Sequence, residues 1–123
     1  ADLQDVPMDF ESFRKAGVAL GSGALLICDQ HTCIVDLVKV LLQFFRFESC
    51  GKCTPCREGN HWMRNLTERI HHGKGSSEDV TLLLNVAKQM QGKCLCALGE
   101  FSTMAVVTGI ERFPDDFKKA VKA

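Results

Sequence analysis

Apolar residues recur at Ile34, Leu37, Val38, Leu41, Leu42 and Phe45. Steps of three and four place them on one face of a helix, predicted over about 34–47. Thr54 is suited to cap a second helix and Pro55 to open it, where no amide donor is needed. Trp62, Leu66 and Ile70 extend its apolar face, and Gly73 stops it. Ser76, Ser77, Glu78 and Asp79 form a capped, acidic first turn for a third helix. Val80, Leu83, Leu84, Ala87 and Met90 line that helix, and Gly92 ends it. A fourth helix is expected over about 100–112, with Met104, Val107 and Ile110 or Glu111 on its faces. Pro114 ends it, and 115–122 is expected to add a short helix.

Residues 1–33 break this pattern. Gly17, Gly21 and Gly23 crowd together ahead of Ala-Leu-Leu-Ile-Cys at 24–28. Turns and one short strand are expected there, with Asp29-Gln30-His31 turning the chain. The fold class is therefore mostly α: a four-helix bundle preceded by a short β-containing segment. Short connections make such a bundle antiparallel. The loops after the first helix and before the fourth then share one end.

Those two loops carry the chemistry. Cys50, Cys53 and Cys56 form C-x2-C-x2-C, and Cys94 and Cys96 form C-x-C. Three thiolates at that spacing wrap one small object, with Gly51 removing a side chain where backbone comes close. Ferredoxin-like loops give three ligands to an iron–sulfur cluster at this spacing. In that run a fourth cysteine before proline serves a second cluster. Here Arg57 and Glu58 follow Cys56, so one cluster is expected, completed by Cys94 or Cys96. Zinc is the alternative, although structural zinc sites more often pair two C-x2-C units or add histidines.

Composition narrows the class. The 123 residues suit one compact domain, and 46% hydrophobic with 24% charged residues is ordinary for a globular chain. Fifteen basic residues balance fifteen acidic ones. No basic field exists to hold nucleic acid or an anionic membrane, and no apolar run is long enough for a membrane span. The N-terminus has no signal-peptide pattern and starts with Ala, as a processed chain or an excised part of a longer one does. Seven cysteines, an odd number, disfavour a disulfide framework and favour metal.

ESCGKCTPCREG at 48–59 and LCALG at 95–99 closely resemble the C-terminal part of the NADH-binding flavoprotein subunit of respiratory complex I. Related modules occur in NAD(P)-linked hydrogenases, including electron-bifurcating ones, and in NAD-dependent formate dehydrogenases. The resemblance runs from about Phe10 to Phe117. It makes residues 1–33 the tail end of a β-grasp-like region and 34–123 the [4Fe-4S]-binding bundle. It implies one [4Fe-4S] cluster on Cys50, Cys53, Cys56 and Cys96, with Cys94 a departure from the pattern. It also implies a one-electron relay toward other iron–sulfur subunits. FMN and NAD(P)H would bind a glycine-rich N-terminal domain that nothing here matches. A cytoplasmic or mitochondrial-matrix location follows from the same resemblance, without membrane insertion. Lys52, Arg57 and Lys93 adjoin ligands and are candidates to tune the cluster.

Trp62 is expected in the core, and His31, His61, His71 and His72 at the surface or a helix end. Cys28 and Cys33 are expected as buried free thiols. A zinc-stapled interaction module without redox activity is the second function class. A thiol oxidoreductase on Cys53 and Cys56 lacks the βαβ context it needs.

Overall fold

The computed structural model describes residues 3–121. The chain divides into two units, one ending at His31 and one beginning at Thr32.

In the first unit a helix, α1 (Phe10–Lys15), forms where turns were expected. Asp9 caps it: its carboxylate accepts from the Glu11 and Ser12 amides at 3.0 and 2.9 Å. The strand expected at 24–28 does not form. A strand exists only by pairing, and no partner strand occurs among the described residues.

The second unit contains α2 (Ile34–Glu48), α3 (Thr54–His71), α4 (Ser77–Met90), α5 (Ala97–Arg112) and α6 (Pro114–Ala120). Helices α2 to α5 pack in sequence order and α5 closes back onto α2, so the expected four-helix bundle is present. Its core is built from Val35, Val38, Leu42, Met63, Ile70, Leu83, Ala87, Met90, Val106 and Phe117. Phe117 brings α6 into that core, and Asp116 of α6 accepts from the Ile34 amide at 3.2 Å, supplying the cap that α2 lacks.

Ser76 and Asp79 make a reciprocal capping box at the start of α4. The Asp79 carboxylate also pairs with Arg69 of α3. One side chain thus starts α4 and ties it to its neighbour.

Three side-chain expectations are corrected. Trp62 is 55% exposed, because the adjacent Met63 takes the core position. The buried face of α3 runs through Cys56, Asn60, Met63, Thr67 and Ile70: Ile70 is kept from the expected stripe, while Met63 and Thr67 are buried in place of Trp62 and the partly buried Leu66. Cys28 and Cys33 are exposed rather than buried. On α5 the buried stripe is Gly99, Ser102, Thr103, Val106 and Gly109, while Met104, Val107 and Ile110 are half-buried. Small residues let α5 come close: a Cβ on Gly109 would lie 3.0 Å from Val38 Cγ2. A search for large apolar residues at helical spacing passes over such a stripe.

Candidate metal centre

The loop from Ser49 to Cys53 links α2 to α3, and Gly51 there has φ +75°, in the left-handed region that favours glycine. Arg57 Nη1 donates to the Gly51 carbonyl at 2.9 Å, and its Nε donates to Glu58 at 2.7 Å. Arg57 therefore braces the loop that bears Cys50 and Cys53. Thr54 does not cap α3: Cys53 holds the N-cap position and Thr54 is the first helical residue. Cys96 holds the same position on α5. The Cys56 amide in the first turn of α3 turns toward the Cys53 sulfur, and Cys96 makes no side-chain cap on α5. Helix N-termini favour negative charge, and both cysteines open a helix.

The two loops do meet. The Leu95 amide donates to the Cys53 sulfur, as does the Cys56 amide, and together they hold the Cys53 thiol below its ordinary pKa. Cys94 contacts Cys53 as well. Gly99 is the hinge of this approach. A Cβ at Gly99 would overlap the Cys94 sulfur and lie 3.4 Å from Cys56 Cβ. Glu100 accepts from the Gly92 amide at 2.9 Å and ties the second loop to α5.

The five thiols differ in setting. Cys56 is buried, Cys53 and Cys94 are half-buried, and Cys50 and Cys96 are exposed. Burial, with Cys53 and Cys56 adding to it, pushes the Cys94 thiol up to about 11. Its sulfur points to the Met90 carbonyl at 3.7 Å. Cys94 packs between Gly99 and Cys53. Lys52 and Lys93 are exposed.

Two contacts escaped the sequence reading. Asn60 is fully buried, and its Nδ2 donates to Cys56 Sγ at 3.2 Å. Ser49 Oγ lies 3.3 Å from the same sulfur. An asparagine one turn after a cysteine on a helix was the only signal of this arrangement along the chain.

No three His, Cys, Asp or Glu side chains among the described residues close around a point that would hold a single metal ion. Zinc thiolates sit about 2.3 Å from one ion. Thiols on two loops, with backbone amides on the Cys53 sulfur, are donors of the kind an iron–sulfur cluster takes.

The chain is similar to a known family of sequences. The model for the NADH-ubiquinone oxidoreductase-F iron-sulfur binding region matches residues 36–120. The F subunit of NADH-quinone oxidoreductase from Mycobacterium tuberculosis is 44% identical over 113 residues, 92% of this chain and 25% of that protein. The equivalent protein of Rickettsia typhi is 38% identical over 120 residues, 98% of this chain and 28% of that protein. That of Streptomyces coelicolor is 38% identical over 117 residues, 95% and 26% respectively. The chain spans about a quarter of the length of these relatives. Thiol-bearing loops that meet at one end of the bundle and a family match over most of the chain agree: it belongs to the NADH-ubiquinone oxidoreductase-F iron-sulfur binding region family.

Proposed function

We propose that the chain is a one-electron relay, the iron–sulfur part of an NAD(P)H:acceptor oxidoreductase of the complex I type. The observation that carries this reading is the meeting of the two cysteine loops, with the Leu95 amide on the Cys53 sulfur and Gly99 against Cys56. The cofactor is a [4Fe-4S] cluster, consistent with the family. Its proposed ligands are Cys50, Cys53, Cys56 and Cys96. Cys96 is preferred to Cys94 because it belongs to the LCALG stretch that carries the family resemblance and opens α5 with an exposed thiol, whereas the Cys94 sulfur packs under Gly99 and faces the Met90 carbonyl.

When bound, the cluster supplies reversible one-electron chemistry. The chain's own residues do the rest. Backbone amides and the N-termini of α3 and α5 offset negative charge on the thiolates. Arg57 fixes the loop through Gly51 and adds positive charge, and Lys52 adds a second exposed cation. Cys50 and Cys96 are at the surface, so an electron entering or leaving through a docked partner has a short path. The partners proposed are other iron–sulfur subunits of one complex. FMN and NAD(P)H would be handled by a domain outside the matched region, on the cytoplasmic or matrix side of a membrane. Among the described residues no helix is long and apolar enough to cross one. The same relay would serve an NAD(P)-linked hydrogenase, and the NADH-quinone oxidoreductase relatives favour the complex I type.

Iron, zinc and acid-labile sulfide content of anaerobically purified protein tests the reading. About four iron and four sulfide per chain are expected. About one zinc without sulfide, not displaced on reconstitution with iron and sulfide, would replace the relay with a structural staple.

A further inference from the structure

The buried polar groups of α3 are not accounted for by the ligand set. Asn60 has no solvent exposure, and its Oδ1 has no hydrogen-bond partner. An orphaned buried carbonyl is a cost to folding that an apolar side chain of the same size would avoid. What the side chain does obtain is a contact from Nδ2 to Cys56 Sγ at 3.2 Å, made within the helix, four residues apart. A thiolate only accepts hydrogen bonds, so this amide orientation is the favourable one: the reverse would aim a carbonyl oxygen at sulfur. From the other side Ser49, at the end of α2, places its hydroxyl 3.3 Å from the same sulfur. Toward a thiolate that hydroxyl donates. Two donors from two helices therefore converge on the most buried of the proposed ligands.

We propose that Asn60 is a tuning residue. Together with Ser49 it draws charge from the Cys56 thiolate and so raises the reduction potential of the cluster that Cys56 holds. The proposal rests on the relay reading above. Hydrogen bonds to ligand sulfur favour the state with more negative charge, which is the reduced one. The low dielectric around a fully buried donor strengthens the effect, so Asn60 contributes more than the part-exposed Ser49.

The test is a spectroelectrochemical titration of the anaerobic 123-residue chain and of Asn60→Leu, Ser49→Ala and the double variant. Iron and sulfide are measured first. Both single variants are expected to load fully, with midpoints shifted to more negative values, Asn60→Leu by more. Resonance Raman should show the iron–thiolate stretch rising in frequency as the sulfur loses its donor. Unchanged midpoints and stretches in loaded variants would overturn the proposal while leaving the relay intact. An unmodified chain that takes up no iron and sulfide would overturn both. If Asn60→Leu loads poorly, Ser49→Ala decides, since it alters one hydroxyl on a loop. A shift there supports the two-donor arrangement, and its absence refutes it.

Discussion

At the scale of single residues, the ligand loop is legible because three cysteines in seven positions have few uses, whereas the choice between Cys94 and Cys96 is not. Both lie in one short loop, and only their environments separate them: one faces the Met90 carbonyl, the other opens α5. Cys96→Ser should abolish most of the iron and sulfide content, and Cys94→Ser should leave it near that of the unmodified chain. The opposite result in the metal assay would exchange the two roles. Arg57 acts on the first of the two loops. Its guanidinium holds the Gly51 carbonyl and stays close to the ligands. Arg57→Gln removes a positive charge, so the midpoint should fall, and a redox titration with an unchanged midpoint would show the residue to be a brace alone.

Between residues and the whole, helices α2 to α4 were readable from their large apolar residues, although α3 buries Met63 in place of Trp62. Helix α5 was less legible. Its buried face is made of Gly99, Ser102, Thr103, Val106 and Gly109, and small residues carry little apolar signal. They matter through distance. Gly99 lets α5 approach Cys56 of α3 until no Cβ fits beside Cys94. Gly99→Ala should therefore cost about 1–3 kcal/mol of stability and also reduce cluster retention, because the strain falls on the two cysteine loops. Urea unfolding of the cluster-free form and iron content of the loaded form measure the two effects separately. A stability loss with full iron retention would place the strain elsewhere.

The whole molecule couples metal to fold. The bundle has a continuous core from α2 to α6, which argues that helices persist without a cluster. The two loops, however, are held together by a few hydrogen bonds such as Leu95 to Cys53. A link closing a loop of roughly forty residues is worth about 4 kcal/mol, and for a domain of this size that corresponds to about 15 °C in melting temperature. Removing the cluster with a chelator under reducing conditions should lower the midpoint of thermal unfolding by about that amount, with helical circular dichroism retained below it. An equal melting temperature in both forms would mean that the core alone sets stability. By itself the sequence determined the helices of the second unit, α2 to α6, whose signals are local, and the ligand loop, whose three thiols are neighbours in the chain. Tertiary structure alone decided which face of α3 is buried, how closely α5 approaches, and that the Leu95 amide of the second loop reaches the Cys53 sulfur of the first. Each of these depends on groups far apart in sequence that only packing brings within hydrogen-bonding reach, or on a register that only the partner helix can set.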